Sequence, residues 1–437
     1  MQKKWKASRF NLFYAQKDHN VNIFNSATGL WAVFTQKVAD RIGQGHINRL
    51  PQSSIALAVK IGVIVPAGRN ELKCYRESYK DRIRDRRSAS YVCFLTYRCN
   101  LQCPYCFQAK LDQASDMSLD TCSGIIKAIQ KKTLADKTRF LSIMLFGGEP
   151  LLRKKQGLTL LRELREWSVY HRINFKGAMS SNGVLFSEGA VSEYAPYLDV
   201  VQITLDGPKD IHDGLRIGWS GQPTYDRIIR AVKRLIKNDL NVNLRIQIQS
   251  PQMSRLPDVI RELKQHDLYA SPKVHISFGV LEKYQGCRGC NESLYYADSN
   301  SKDSHSLFKE FERYLSPGLP RVQILPCIMT GSCLCVDPSG GLYKCVTLVG
   351  SGIGKVGSLS KSDEFVFDGG MVKYYRRDPV QFSDCNKCKY LPLCGGGCPT
   401  QAQNEWGSYD HSSCGISQQI LDSRIRYAFR QKKEAMI

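Results

Sequence analysis

No apolar run in the sequence approaches the ~20 residues that a helix needs to cross a bilayer. The basic start, Met1-Gln-Lys-Lys-Trp-Lys, is not followed by the apolar stretch of a secretory signal. Internal repeats and low-complexity tracts are absent as well. Nothing therefore points to a membrane partner, and we expect a protein of the cytoplasm.

Acidic residues are scarce relative to basic ones, with 40 Asp and Glu against 62 Lys and Arg and a formal net charge of +22. This balance favours an acidic partner: nucleic acid, an anionic surface or an acidic peptide. A basic solvated surface without a specific partner explains the charge equally well. Cysteine, by contrast, is abundant. Seventeen cysteines in a reducing compartment indicate metal ligation rather than disulfides.

Residues 1–85 read as a small N-terminal α+β module. Asn11–Ala15 and Val21–Phe24 are strand-like, and a helical pattern runs from Leu30 to Ile42. A very basic stretch, Lys80–Arg87, follows and is interpreted as a linker. Such a module could bind a peptide by adding it to a sheet as an extra strand, or could be a structural lid.

Residues 86–285 alternate β-rich runs with amphipathic segments, which is typical of an α/β fold with a parallel sheet. We predict a partial (β/α)6 barrel, in which the loops after the strands carry the chemistry. The predicted strands are Tyr91–Tyr97, Phe140–Phe146, Asn174–Met179, Val200–Leu205, Asn241–Gln249 and Val274–Val280. The predicted helices are Leu119–Lys132, Leu158–Tyr170, Tyr225–Lys237 and Arg255–His266.

Residues 286–320 form a polar connector that holds Cys287 and Cys290, a pair with no assigned role. Residues 321–437 are rich in Cys and Gly and show little periodicity. A segment dominated by loops needs something besides an apolar core to order it, and metal clusters can supply that.

The strongest motif is Cys99-Asn-Leu-Gln-Cys103-Pro-Tyr-Cys106, directly after the first barrel strand. Three thiolates at this spacing can hold three irons of a [4Fe–4S] cube and leave the fourth iron open to a small molecule. A zinc site would require a fourth nearby ligand. Buried structural thiols are the other alternative, and the spacing and Tyr105 weigh against both.

This motif resembles the CxxxCxΦC hallmark of the radical S-adenosylmethionine (SAM) superfamily. The resemblance implies that SAM chelates the open iron and is cleaved to methionine and a 5′-deoxyadenosyl radical, with the electron coming from an external reductant such as flavodoxin or ferredoxin. It also implies SAM contacts from the Gly-Gly-Glu-Pro motif and from polar residues after the later strands. These candidates are Gly147, Gly148, Glu149, Ser181, Asn182, Thr204 and Arg216. For Asn182, and for His212 nearby, loop capping is an equal alternative.

The C-terminal cysteines resemble a SPASM domain, which binds two auxiliary [4Fe–4S] clusters and brings the total to three. The resemblance assigns Cys327, Cys333, Cys345 and Cys398 to the first auxiliary cluster. It assigns Cys385, Cys388, Cys394 and Cys414 to the second. Cys335 could replace Cys333 as a ligand, and two zinc sites of four thiolates each are the chemical alternative.

SPASM proteins resemble one another in acting on peptides or protein side chains. In sulfatase-maturing members an acidic residue follows the Cys equivalent to Cys345, whereas Val346 stands here, and no motif supports Asp337 as a replacement base. We therefore predict a maturase that takes a hydrogen atom from a leader-bearing precursor peptide and cross-links its side chains through a C–C, ether or thioether bond. The alternatives are oxidation of a protein residue or a small molecule, and RNA modification. RNA is not favoured because no stacking platform is visible.

Overall fold

The structure is a computed structural model that describes residues 4–108, 111, 115–248, 254–280, 319, 320, 322, 329, 332–414 and 417–434. Cys287, Cys290 and Cys327 lie outside these residues. The chain divides into two compact units, Met1–Arg84 with Ser299–Thr330 and Tyr374–Ile437, and Asp85–Asp298 with Gly331–Lys373. Among the described residues, none of the helices combines the length and the apolarity that a membrane crossing requires.

The first unit opens with a small α+β arrangement. Three strands form an antiparallel sheet in the order β2-β3-β4, and β1 pairs antiparallel with β5. The elements are β1 (Trp5–Ala7), β2 (Asn11–Ala15), β3 (Asn20–Asn25), β4 (Leu30–Thr35), α1 (Gln36–Gly43), α2 (Gln52–Lys60), β5 (Ile64–Pro66) and α3 (Glu71–Arg84).

The helix predicted from Leu30 to Ile42 is wrong in its first half, because those residues form strand β4. The run Trp31-Ala-Val-Phe34 is β-branched and aromatic, and it pairs with β3 across a turn in which Gly29 has a φ of +70°. The helix α1 begins only at Gln36. The basic stretch interpreted as a linker is helical as far as Arg84, within α3.

The second unit is built on a parallel sheet of six strands, as predicted. The strands run in the order β6 to β11, and helices follow each of the first five strands. Their bounds are β6 (Ser88–Phe94), α4 (Leu119–Ala135), β7 (Phe140–Phe146), α5 (Lys154–Tyr170), β8 (Asn174–Ser181), α6 (Glu188–Tyr194), β9 (Val200–Leu205), α7 (Lys209–Leu215), α8 (Tyr225–Lys237), β10 (Asn241–Ile248), α9 (Leu256–Gln265) and β11 (Val274–Val280). Apolar side chains of the strands and helices form the core.

Four further strands extend this sheet beyond β6, which the sequence did not predict. One of them pairs parallel with β6, and the others continue antiparallel to a total of ten strands. These strands are β12 (Cys333–Val336), β13 (Gly341–Tyr343), β14 (Lys355–Leu359) and β15 (Phe365–Phe367), followed by α10 (Gly370–Arg376). Three helices complete the described residues: α11 (Leu391–Cys394), α12 (Pro399–Trp406) and α13 (Ser417–Glu434).

Within the first unit, the N-terminal sheet and the C-terminal residues share one apolar core. Leu12, Tyr14 and Phe24 pack with Ile425 and Phe429 of α13. The Tyr14 hydroxyl also donates to Asp422 at 2.9 Å. The opposite face of the sheet packs in a second core, against α1 and α2. The N-terminal residues are therefore integral to this unit and do not form a separately packed module.

Candidate active site

The three-cysteine loop follows β6 at the carboxyl end of the parallel strands. The amide of Cys106 donates to the Cys103 carbonyl at 3.1 Å, and the Cys99 thiol accepts from the Leu101 amide at 3.4 Å. Trp219 fixes the far side of the loop, because its Nε1 donates to the Cys99 carbonyl at 2.7 Å. The loop is thus held mainly through its backbone carbonyls, and the Leu101 amide also contacts the Cys99 sulfur.

Burial disfavours the ionised form of these thiols. It raises the pKa of Cys99 to about 12, with Glu149 adding to the effect, and the pKa of Cys103 to about 11 against the attraction of Arg216. Thiolates are the form that binds iron, so metal binding must displace these protons. The loop fits a cationic cluster that compensates for the buried negative charge.

An acidic residue beyond the cysteines anchors the start of the loop. Asp116 pairs with the guanidinium groups of Arg98 and Arg153 and accepts a hydrogen bond from Thr96 at 2.6 Å. Arg98 directly precedes Cys99. Asp116 was not predicted from the sequence because no local motif connects it to its two arginines.

Gly147 and Gly148 let the end of β7 approach the cysteine loop. The Gly148 amide donates to the Thr96 carbonyl and the Glu149 amide to the Arg98 carbonyl, both at 2.9 Å. A Cβ on either glycine would overlap a carbonyl oxygen of the loop, and the φ of Gly147 is +144°. The Gly147 carbonyl accepts from Gln108 at 3.1 Å and keeps a second lone pair for a ligand.

We expect Gly148→Ala to lower SAM cleavage about tenfold and bound iron by up to about four atoms per chain, since overpacking against backbone atoms costs ~1–3 kcal/mol and shifts the residue before Cys99. Iron per chain and 5′-deoxyadenosine, measured after anaerobic reconstitution, check this. The matched control is Gly189→Ala in α6, where a Cβ meets no atom within 4 Å. Wild-type iron content in Gly148→Ala would contradict the role of the glycine.

Glu149 is fully buried and joins the ends of β7 and β8. Its carboxylate accepts from the Leu151 amide at 3.1 Å, from the Ser181 hydroxyl at 2.9 Å and from the Asn182 amide at 2.8 Å. Burial raises the pKa of Glu149 to about 7, and these donors oppose the shift. A carboxylate has roughly four lone-pair positions, so one acceptor position remains for the SAM amino group.

Asn182 connects this carboxylate to the cysteine loop. Its Nδ2 donates to Asn100 Oδ1 at 2.7 Å and lies 3.7 Å from the Cys99 sulfur. Its Oδ1 accepts from the Val184 amide at 3.0 Å. Asn182 therefore caps its own loop and also touches the cysteine motif, so both interpretations of the sequence describe part of its environment.

Arg216 belongs to a buried group of three side chains beside Cys103. Its NH1 donates to the Tyr105 hydroxyl at 2.8 Å and lies 3.5 Å from Asp206, which also accepts from Tyr105. The Nε of Arg216 is buried and has no hydrogen-bond partner among the described residues. An unsatisfied buried donor next to the cysteine loop fits the carboxylate of SAM.

Thr204 and His212 differ in their burial and in their contacts. Thr204 is half-buried on β9, on the face opposite the buried Ile203 and Leu205. His212 is fully buried, and burial holds its pKa well below the ordinary value. Its Nδ1 accepts from the Asp206 amide and its Nε2 pairs with Thr224, each at 3.1 Å. His212 is therefore a neutral structural residue that supports the Asp206 loop.

The cysteines assigned to the first auxiliary cluster are spread over both units. Cys333 and Cys345 belong to the second unit and Cys398 to the first, while Cys327 lies outside the described residues. Cys335 is buried beside Cys333 and Cys345, and burial raises its pKa well above the ordinary value. This ligand set remains a prediction, and Cys333 is the more exposed of the two alternatives.

The four cysteines assigned to the second auxiliary cluster lie near one another in the first unit. The Cys385 and Cys414 thiols are hydrogen-bonded, which holds the pKa of Cys414 below its ordinary value. Cys388 and Cys414 in turn raise the pKa of Cys394, which burial brings to about 11. Four mutually close thiols fit one cube.

The described part of the molecule contains no ligand set with the geometry of a single-metal site. No three His, Cys, Asp or Glu side chains there converge as the ligands of one ion do. A [4Fe–4S] cube spreads its thiolates over several irons and does not need that convergence. The zinc alternatives for the cysteine motifs therefore gain no support from the described residues.

Residues at the site that were not predicted from the sequence fall into two groups. Asp206 lies inside the Thr204-Leu-Asp-Gly-Pro stretch and Asn100 inside the cysteine motif, so local signals were available. Asp116 and Trp219 contact the loop from distant positions without a motif, and Gln108, two residues after Cys106, contacts the distant Gly147 carbonyl.

Asp337, considered as a base, is held within the turn between β12 and β13. It accepts hydrogen bonds from the Gly341 amide at 2.7 Å and from the amide and hydroxyl of Ser339. These contacts give the carboxylate a structural role in the turn.

Curated relatives include the cysteine-type anaerobic sulfatase-maturating enzyme of Clostridium perfringens, 24% identical over 69% of this chain and 85% of that protein. Another is the radical SAM cyclopropyl synthase TigE of Paramaledivibacter caminithermalis, 22% identical over 82% of this chain and 79% of its own length. Both matches span most of each protein.

Solved structures share the fold. Native anSMEcpe with bound AdoMet has a TM-score of 0.61 and 20% identity and covers 79% of this chain and 98% of that one. Streptococcus suis SuiB bound to precursor peptide SuiA has a TM-score of 0.54 and 15% identity and covers 95% and 100%. The radical SAM superfamily model matches residues 93–268, which contain the cysteine loop, Glu149 and Arg216. Residues 93–268 therefore form a radical SAM domain, a kind of domain that uses SAM and a [4Fe–4S] cluster.

Proposed function

We propose that this enzyme matures a ribosomal precursor peptide by taking a hydrogen atom from one of its residues and cross-linking its side chains through a C–C, ether or thioether bond. When bound, SAM and the cluster supply a 5′-deoxyadenosyl radical that can abstract hydrogen from unactivated carbon. Cys99, Cys103 and Cys106 would hold this cluster. Glu149 and Arg216 would orient SAM through its amino and carboxylate groups.

Two auxiliary [4Fe–4S] clusters complete the proposal. The proximity of Cys385, Cys388, Cys394 and Cys414 supports one of them. The other rests on the resemblance of Cys327, Cys333, Cys345 and Cys398 to the SPASM pattern. A cluster with four protein ligands has no open iron for a substrate, so its chemistry would be electron transfer.

The main support for a peptide substrate is the open edge of strand β4. No described strand pairs with that edge. Gln36 donates to the His19 carbonyl at 3.0 Å, and bonded pairs alternate along an antiparallel ladder. Val33, opposite Asn22, is therefore in a non-bonded pair, and its N–H and C=O point away from β3. A leader peptide could add here as a fourth strand.

The fold comparison supports the same proposal. SuiB, whose structure holds its precursor peptide, covers 95% of this chain, whereas anSMEcpe covers 79%. The net charge of +22 suits an acidic leader. A short open reading frame beside the gene would supply the candidate peptide for assay.

We expect Val33→Pro to lower peptide modification about tenfold, because proline removes the outward N–H and its ring obstructs an added strand. SAM cleavage without peptide should persist. The matched control is Val33→Ala, which keeps the N–H and, since Val33 is 47% exposed, removes little packing. Mass spectrometry of the peptide and chromatography of 5′-deoxyadenosine measure both activities.

Unchanged peptide modification by Val33→Pro would exclude this edge as the docking site. Deleting residues 1–85 would be a poorer test, because it would uncover the core that Leu12, Tyr14 and Phe24 form with α13. Leader affinity that does not weaken with added salt would contradict the electrostatic contribution.

Oxidation of a protein residue, as in sulfatase maturation, is the second candidate. The Clostridium perfringens relative favours it. Against it, Val346 follows Cys345, and the Asp337 carboxylate is engaged by its own turn. A cysteinyl sulfatase peptide converted to formylglycine would establish this candidate, whereas a cross-linked precursor peptide would establish the first.

A further inference from the structure

One face of the parallel sheet in the second unit carries polar side chains. On β10, Leu244 and Ile246 are buried on the face that packs against helix α8, and Asn243, Arg245 and Gln247 alternate with them on the other face. Polar residues in a sheet interior are costly unless they are hydrogen-bonded or await a ligand.

Most of these polar groups satisfy one another. Gln202 donates to Ser180 at 3.2 Å, Asn243 donates to Gln202 at 3.3 Å, and Ser277 donates to Asn243 at 2.8 Å. The resulting ladder crosses four neighbouring strands, β8 to β11. It holds the polar side chains of this face in place. The charged residue of the face is not part of this ladder.

That charged residue is Arg245. Its Nε donates to Gln247 Oε1 at 3.1 Å, and no carboxylate among the described residues forms an ion pair with it. The side chain is half-buried. A partly desolvated guanidinium with free N–H groups gains most from an anion that accepts two parallel hydrogen bonds.

Gly279 on β11 fixes where the guanidinium lies. A Cβ at this position would come within 2.5 Å of Arg245 Nε and NH2, so the head group rests directly over the glycine. Gly279 pairs with Gln247 in the register of the two strands. Gln247 and Gly279 together hold Arg245 in place without neutralising its charge.

The register also places Arg245 next to the proposed SAM site. Arg245 lies directly opposite Thr204 on β9, about 4.8 Å away across one strand spacing. Thr204 is one of the candidate SAM contacts named from the sequence. The SAM carboxylate is assigned to Arg216 beside Cys103, so Arg245 is a second cation on the substrate side.

We propose that Arg245 binds a carboxylate side group of the peptide substrate, an Asp or Glu close to the residue that loses hydrogen. The proposal rests on the proposed function, since it names the chemistry of the same substrate. It makes acidity of the modified segment, and not only of a leader, a requirement for productive binding.

The test uses the full-length protein, reconstituted anaerobically with SAM present, and two tripeptides blocked at both ends. Acetyl-Gly-Glu-Gly-amide and acetyl-Gly-Gln-Gly-amide differ only in the carboxylate, and their affinities are measured by NMR titration. We expect the Glu peptide to bind at least about tenfold more tightly, and Arg245→Gln to abolish this preference.

Two further measurements distinguish recognition from structure. Gly279→Ala keeps the charge of Arg245 but displaces its head group, and we expect it to reduce the preference for the Glu peptide. Arg245→Gln should not lower the melting temperature, because it removes an unpaired, partly buried charge. A fall in melting temperature with an unchanged Glu preference would overturn the proposal in favour of a structural role.

Equal binding of the two peptides to the wild-type protein would also overturn it. A loss of SAM affinity in Arg245→Gln would assign the carboxylate to SAM and overturn the assignment to the peptide. The proposed function can fail independently of the subsite. If the Glu preference depends on Arg245 but the protein modifies no precursor peptide, the subsite is supported and the proposed maturase function is rejected.

Discussion

The triple variant Cys99/Cys103/Cys106→Ala should lose about a third of its iron, from roughly twelve atoms per chain, and all SAM cleavage above background. The expected loss follows from the loop that Asp116, Trp219 and the two glycines hold in place. Without its thiols this loop has no ligand for iron. Iron analysis and 5′-deoxyadenosine chromatography after anaerobic reconstitution measure both effects.

The matched control is Cys74→Ala in α3, which removes a thiol that belongs to no assigned cluster. It should retain iron and activity. Production of 5′-deoxyadenosine by the triple variant above the background of heat-treated enzyme would show that the catalytic cluster is bound elsewhere.

The barrel could be predicted because its strands have a simple pattern. β7, β9 and β11 have the predicted bounds. In β7 and β9 buried residues alternate with more exposed ones, which is the period of a strand. β12 to β15 were missed because they are only three to five residues long, and the first three contain Cys or Gly. Pairing of β12 with β6, and of each later strand with the one before it, decides their structure, and a local pattern does not report such pairing.

The N-terminal residues illustrate the same limit. Trp31 and Phe34 could belong to an amphipathic helix by spacing, and only pairing with β3 makes them a strand. Likewise, nothing local to Leu12 or Tyr14 indicates that they pack against α13, hundreds of residues later in the sequence. Tertiary packing outweighs local propensity in both cases.

In the candidate site too, residues in local motifs could be predicted, whereas residues that act over long sequence separations could not. Cys99, Glu149 and Asn182 were predictable because each lies in a short motif directly after a strand. The residues that hold them act across long sequence separations, such as Asp206, which accepts from Tyr105 across 101 positions. Arg245 has no motif at all. Its significance comes from the absence of a carboxylate partner on the described face of the sheet.

We assign Cys414 to the second auxiliary cluster, whose role a single replacement can test. Forming a cross-link removes two electrons and two protons from the peptide, and one hydrogen atom accounts for one of each. When bound, an auxiliary cluster supplies an acceptor for the other electron. Cys414→Ala should therefore lower cross-linked product at least about tenfold while peptide-triggered 5′-deoxyadenosine still forms, and bound iron should fall by about four atoms.

Folding decides how this result is interpreted, because a cluster bound to the cysteine-rich loops around Cys414 would also help to order them. Size exclusion and far-ultraviolet circular dichroism must first show that the variant is folded. Cys74→Ala serves again as the control for the loss of a thiol. Cys414 is the most exposed of its four cysteines, so its replacement disturbs little apolar packing and should leave the core around Leu393 and Phe429 intact. Normal product yield from a folded variant that lacks four irons would remove electron transfer from the role of this cluster and leave it a structural one.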